Sequence, residues 1–503
     1  MARAPVHLPE DALIPATGAP LQPLRTIADQ AFSRAAGAPL VEGNAVRVLK
    51  DAAENYPAWL KAIEAAERHV HFENYIVTDD EIGALFADAL LAAARNGVRV
   101  RVIYDWLGCL TKASAAYWKR LRDGGVEVRC YNPPRFDSPL AWVSRDHRKM
   151  LAVDGRVGFV TGLCVGKPWV GDPAKGIEPW RDTGVEIRGP AVADVEQAFA
   201  QTWAMCGPPL PEEDLPAASA LHPAGDVGVR IIATVPSTAG MLRLDQMLAA
   251  VARKRVWITD AYFAGVTVHV QALRAAAKAG VDVRLLLPDS SDIPLVQQVS
   301  RAGYRTLLEA GVRIFEWNGS MLHAKTAVVD GRWSRIGSTN LNVSSWIANC
   351  ELDALIEDER IGAEMEELYL RDLDYSTEIV LEDWPRRRHG RRRAAGTHRL
   401  GSGATNARGS TAVAGALRAG HALGAAFTDR RVLEPAEMRL MLVAGLALLA
   451  VAALLIFFPR VLVYPLILLA TWFGVALLLR ARKLHLERKA RRAQGSPPRD
   501  RSR

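Results

Sequence analysis

Two short runs, "DHRKMLAVDG" (146–155) and "LHAKTAVVDG" (322–331), each carry a histidine, one spacer, a lysine, four further residues and Asp-Gly. In an extended strand, residues two apart share a face, so His147 projects with Lys149 and His323 with Lys325. An imidazole can attack or relay a proton, and an ammonium holds anionic oxygens. Together they suit a phosphodiester. Phosphorus is attacked in line, so the nucleophile and the acid that protonates the leaving group must stand on opposite sides. Two histidines on opposing lobes about a pseudo-twofold axis supply that geometry. The lysines supply the charge that a metal otherwise would, and no histidine and carboxylate cluster with metal-ligand spacing accompanies the runs; neither metal nor other cofactor is expected. Asp154 and Asp330 complete each run within Asp-Gly turn signals and read as turn residues instead of proton carriers.

The elements that must carry these runs also occur twice. "RHVHFENYI" reads as a strand, "IGALFADALLAAARNG" as an amphipathic helix ending at Gly97, and "VRVRVIYD" as the next strand. "KRVWITDAYF", "VQALRAAAKAG" ending at Gly280 and "VDVRLLLPD" repeat the order. Strands alternating with helices imply a mostly parallel sheet in each half. The fold class expected is α/β: a duplicated α/β domain, two pseudo-twofold-related lobes with mixed sheets, plus a C-terminal transmembrane helical hairpin. The expected divisions are an N-terminal extension (1–42), a first lobe (43–206), a proline-rich link (207–226), a second lobe (227–384), a basic flexible linker (385–439), two membrane helices (440–479) and a basic cytoplasmic tail (480–503).

Charge follows the same division. The chain carries +8 in total, yet residues 385–503 sum to +18 and the first 384 to −10. Leu440–Phe458 and Val461–Leu479 contain no charged residue, and each is long enough to cross a hydrocarbon core. "RRRHGRRR" precedes the pair and a basic tail follows it, while Arg460 is the one charge between them. The positive-inside bias then places both flanks in the cytoplasm and both clusters against anionic headgroups. The five cysteines are scattered, with no CxxC pair, and suggest neither a zinc site nor a disulfide framework. No apolar segment of signal-peptide length follows Arg3, so the lobes are expected to stay in the cytoplasm.

Both histidine runs resemble the HxKxxxxD motif of the phospholipase D superfamily. The sequence around them, from Gly43 to Leu373, is most similar to the bacterial cardiolipin synthases, through "ENYIVTDDEIG", "GVRVRVIYDWLG", "WRDTGVEIRGPAV" and "GSTNLN". The resemblance implies a membrane phosphatidyltransferase that passes a phosphatidyl group through a phosphatidyl-histidine intermediate, turning phosphatidylglycerol into cardiolipin plus glycerol. It implies His147 as nucleophile, His323 as general acid and base, Lys149 and Lys325 on the phosphate, Ser338 and Asn340 as phosphate-binding positions, and Asp182 and Glu351 as carboxylates orienting the histidine rings. Where the family has asparagine in the first half this chain has Cys164, and a thiol is a poor donor to phosphate. The implied partners are phospholipids (phosphatidylglycerol, with phosphatidylethanolamine as a second candidate) and an anionic membrane surface, at a bacterial inner membrane that the chain crosses twice. Hydrolysis to phosphatidic acid uses the same residues and stays open as the alternative. Cleavage of nucleic acid is disfavoured because the lobes are acidic, whereas a nuclease groove is basic. An inactive binding protein would be expected to have lost a histidine or lysine, and none is lost.

Overall fold

The computed structural model describes residues 24–135, 143–216 and 221–381, with scattered positions between 445 and 485. In the first lobe the strands are β1 (Val41–Lys50), β2 (His69–Asn74), β3 (Arg99–Asp105), β4 (Glu127–Tyr131), β5 (Lys149–Val153), β6 (Val157–Thr161) and β7 (Thr183–Arg188). The second lobe holds β8 (Val227–Thr234), β9 (Arg255–Thr259), β10 (Asp282–Pro288), β11 (Arg313–Trp317), β12 (Thr326–Val329), β13 (Trp333–Gly337), β14 (Glu351–Glu357) and β15 (Ser376–Ile379). The strand order is β4-β3-β2-β5-β6-β7-β1 followed by β8-β14-β13-β12-β9-β10-β11-β15. Apart from β15 the second half mirrors the first, which is the duplication read from the repeats.

Parallel pairing is confined to β2-β3-β4 and β9-β10-β11; β5 and β6, like β12 and β13, are antiparallel. The sheets are therefore mixed, and the mostly parallel expectation fails. Its physical cause is the Asp-Gly turn. Asp154 and Gly155 have φ of 57° and 68°, and Asp330 and Gly331 have 53° and 64°, a paired left-handed conformation that reverses the chain between the paired residues Val153 and Val157 and between Val329 and Trp333. Each aspartate also locks the neighbouring strand: Asp154 accepts from the backbone N–H groups of Glu67, Arg68 and His69, and Asp330 from those of Arg253, Lys254 and Arg255, all at 2.8 Å.

Helix Glu81–Arg95, which carries the chain from β2 to parallel β3, forms because Asp80 caps the Ile82 and Gly83 N–H groups and because Phe86, Leu90 and Leu91 fall on one buried stripe. It ends at Gly97, in the left-handed conformation at φ 85°. Helices Val192–Met205 and Glu359–Asp374 share one core with the two sheets, in which Met150, Val185 and Phe199 of the first lobe join Ile336, Leu352 and Met365 of the second. Each such buried side chain contributes about 1.5–3 kcal/mol relative to exposure. This common core holds the lobes in register. Helix Leu24–Ala36, from the segment read as an extension, packs Phe32 into the second lobe's core, and its Ser33 hydroxyl accepts from Arg230 at 2.7 Å.

The tract 382–444 and most of the apolar pair 440–479 lie outside the described residues. Among the described residues no helix is long and apolar enough to cross a membrane. Residues 467–480 are helical, with Leu468, Leu469, Leu477 and Leu478 exposed.

Candidate active site

The C-terminal ends of β2, β3, β9 and β10 and the N-terminal ends of β5, β7, β12 and β14 share one edge, because Asn74 pairs with Lys149 and Thr259 with Thr326. The histidine runs meet the other lobe there. β5 starts at Lys149 and β12 at Thr326, so His147, His323 and Lys325 lie just ahead of the strands on which their spacing had placed them. Their backbones have left the home sheet to pair across the interface. His147 N–H donates to Cys350 O at 2.9 Å, and Cys350 N–H to Arg145 O at 2.8 Å; His323 N–H donates to Arg181 O at 2.7 Å, and Arg181 N–H to Met321 O at 3.0 Å. The two histidine and two lysine side chains are all buried, His147 at 8% and His323 at 5% exposure.

Each histidine takes its carboxylate from the opposite lobe. His147 Nδ1 lies 2.9 Å from Glu351 Oε2, and His323 Nδ1 lies 2.6 Å from Asp182 Oδ2. With Nδ1–H donating to the carboxylate, Nε2 keeps its lone pair for chemistry. The carboxylates are held in turn: Ser338 Oγ donates to Glu351 Oε2 at 2.5 Å and Asn349 Nδ2 to Oε1 at 3.3 Å, while Trp169 Nε1 donates to Asp182 Oδ2 at 3.1 Å. Lys149 and Lys325 each donate to the carbonyl of their own histidine. Tyr75 and Tyr262 wall the two pairs, the Lys149 ammonium standing 4.9 Å from the Tyr75 ring centre and Lys325 5.6 Å from that of Tyr262.

The two halves differ electrostatically. Burial, then Lys149 and Lys325, holds the His147 imidazole well below its ordinary value. Burial and Lys325 bring His323 to about 4, against the pull of Asp182. Burial raises the Glu351 carboxyl to about 7. Burial acts the same way on Asp182, but His323 and Lys325 outweigh it and its carboxyl stays below the usual range. Burial lowers Lys325 to about 8. Thus both rings are held below their ordinary value, and the halves differ in the carboxylates, Asp182 staying ionised beside His323 while Glu351 beside His147 is pushed up.

The structure assembles His147, Lys149, His323, Lys325, Asp182, Glu351 and Ser338. Asp154 and Asp330 sit in the turns at the far ends of their hairpins, away from the two histidine–lysine pairs, although they complete the motif. Ser338 was expected to bind phosphate, but its hydroxyl donates to Glu351 and accepts from Leu352 N–H at 2.9 Å, so it supports the carboxylate. Asn340 is buried, with Oδ1 unpartnered among the described residues. Its counterpart, 176 residues earlier, is Cys164, whose thiol burial pushes up. Gly162 stands where the other half has Ser338, and a Cβ there would collide with the Asp182 carboxylate; the donor comes instead from Trp169. Sequence reading missed Trp169, Tyr75 and Tyr262, though both tyrosines follow matching repeat strands. It also missed Arg148, which is fully buried and donates to Glu351 O, Thr234 O and Ala198 O, tying the lobes together behind His147. Among the described residues one group of side chains with metal-ligating atoms is close together, His69, His71 and Glu196. It is separate from the reacting groups, and its carboxylate is engaged by His69 at 2.9 Å and by Gly155 N–H at 2.9 Å.

A family model described as cardiolipin synthase, phospholipase D-like domain matches residues 59–203 and 246–373. The chain is 34% identical over 345 residues to a cardiolipin synthase of Alkalihalophilus pseudofirmus, covering 68% of each chain. It is 34% identical over 355 residues to cardiolipin synthase A of Pseudomonas putida, covering 69% of this chain and 71% of that one. In fold it is similar to the crystal structure of phosphatidylserine synthase from Haemophilus influenzae, with a TM-score of 0.55 and 15% identity over 70% of this chain and 91% of that one. With the family match falling on both lobes and both histidine–lysine pairs assembled where the lobes meet, the chain belongs to the cardiolipin synthase family of phospholipase D-like proteins.

Proposed function

We infer that this protein is a phosphatidyltransferase that makes cardiolipin and glycerol from two molecules of phosphatidylglycerol. The observation that carries the reading is the pair of Nδ1-anchored imidazoles, each backed by a carboxylate from the opposite lobe. His147 Nε2 attacks phosphorus; the bond to the glycerol headgroup breaks, and His323 gives its proton to the departing oxygen. His323 then takes the proton of a second phosphatidylglycerol hydroxyl, whose oxygen attacks phosphorus and releases His147. Two buried lysines stabilise the oxygens throughout. Both lysines depress His323 in the empty site, and a bound anionic diester offsets them, raising His323 toward the protonated form its first step needs. Asn340 supplies an amide to the phosphate, and Cys164 leaves the first-lobe side with one donor fewer. Since lysines carry the charge, activity in detergent micelles is expected to be unchanged by EDTA; loss that returns with added divalent ion would contradict this.

The same reading places the chain in a bacterial inner membrane through a hairpin at 440–479, with the lobes on the cytoplasmic side. It is supported by the uncharged length of both segments, by their basic flanks and by the apolar side chains exposed around the helix at 467–480, a surface that water does not stabilise. In a variant with native cysteines replaced, a cysteine at Arg460 is expected to react with an impermeant reagent added outside cells, and one in the tail is not. Labelling of the tail with a protected loop would reverse the orientation.

A further inference from the structure

We propose that the loop edge surrounding the site is a membrane-docking face that inserts Leu110, Val170, Ile177, Val268 and Ile347 into the lipid surface. The proposal rests on the phosphatidyl-transfer reading for its purpose and on the placement of these side chains for its argument. All five are exposed, between 38% and 54%. Leu110 follows β3, Val170 and Ile177 lie in the loop between β6 and β7, Val268 opens the helix after β9, and Ile347 lies between β13 and β14. Those connections all emerge at the edge that carries the histidines. Several are tied to the site itself. Trp169, beside Val170, has its ring 5.4 Å from that of His323; Ala348, beside Ile347, accepts from Ser144 Oγ at 2.7 Å, three residues before His147. By contrast Val251 and Val380, also exposed, lie toward the opposite edge, where the helix before β9 and strand β15 end. Exposed apolar residues are ordinary singly, and their gathering around one opening is what calls for a partner.

Charge decides which partner. Residues 1–384 carry a net −10 and are repelled by an anionic surface, so Coulomb attraction does not press this edge onto a bilayer; the basic segments after residue 385 bring the lobes close, and apolar insertion must orient them. The reacting histidines are nearly covered, so a diester whose acyl chains stay in the membrane reaches them only if this edge sits at headgroup depth. The occupant is a lipid bilayer.

The test uses the full chain. With Cys130 and Cys206 changed to serine, an environment-sensitive fluorophore is attached to a cysteine at position 177, or at position 156 on the remote Asp-Gly turn, and vesicles of phosphatidylglycerol and phosphatidylethanolamine are added. A blue shift at 177 and none at 156 is expected. No shift at 177, or equal shifts, would overturn the proposal whether or not the chain turns over lipid. In the triple variant Leu110→Ser, Ile177→Ser, Ile347→Ser, turnover of vesicle lipid relative to monomeric short-chain phosphatidylglycerol is expected to fall by at least about tenfold, with the short-chain rate kept. An unchanged ratio, or equal loss on both substrates, would also overturn it. A shift at 177 in a chain inert toward both lipids would fault the transfer reading instead.

Discussion

His147→Ala is expected to abolish phosphatidyl transfer, with turnover falling by at least about 10⁴-fold, because it removes the atom that bonds to phosphorus. His323→Ala is expected to fall comparably on phosphatidylglycerol, since the glycerol oxygen then leaves without a proton. A substrate with p-nitrophenol as leaving group separates the roles, because p-nitrophenolate needs no proton to depart. On it, His323→Ala is expected to release one equivalent of p-nitrophenolate per site and then stall with phosphatidyl on His147, lacking the base that activates the second alcohol. His147→Ala is expected to show no burst. The reverse pattern would exchange the two assignments. The electrostatic asymmetry of the carboxylates supports the first: His323 faces the one that stays ionised, which stabilises its protonated form.

Lys149→Ala and Lys325→Ala are each expected to lose about 10²–10³-fold in kcat, the usual cost of one preorganised charge contact to a transition state. Both ammonium groups are fully buried, so alanine relieves a desolvation cost and the variants are expected to melt no lower than the parent. The pH profile gives an independent check. Burial brings Lys325 to about 8, so the protonated, phosphate-binding form prevails below that pH and is lost above it; kcat/KM is expected to decline on the alkaline side of about 8. Lys325→Arg, whose guanidinium does not titrate there, is expected to lose rate but to remove that decline. An alkaline limb unchanged in Lys325→Arg would assign it to another group.

The site was legible in sequence where spacing carries chemistry. His147, Lys149, His323 and Lys325 could be read from the doubled run, and the strand–helix–strand repeats foretold two mirrored lobes. What spacing could not show is that each histidine leaves its own sheet before the strand begins and takes its carboxylate from the other lobe, Glu351 for His147 and Asp182 for His323. Such partners are 204 and 141 residues apart and are brought together only by the shared core. The parallel pairing was overestimated because helix-linked strands dominate the pattern, whereas the Asp-Gly turns contribute short hairpins that reverse direction. Ser338 was read by position as a phosphate ligand; its hydroxyl is spent on Glu351 because Leu352 N–H and the carboxylate both converge on it. Trp169 went unseen because it replaces a donor that the other lobe supplies from a different place in its sequence.

The central claim is that the bound phosphatidyl group passes to a lipid alcohol. Purified full-length protein, incubated in detergent micelles with phosphatidylglycerol labelled at phosphorus, answers it most directly. The expected result is label in cardiolipin with one glycerol released for each molecule formed, and none of it in His147→Ala. Phosphatidic acid as the sole labelled product would show that water resolves the intermediate, and would contradict the assignment as a transferase.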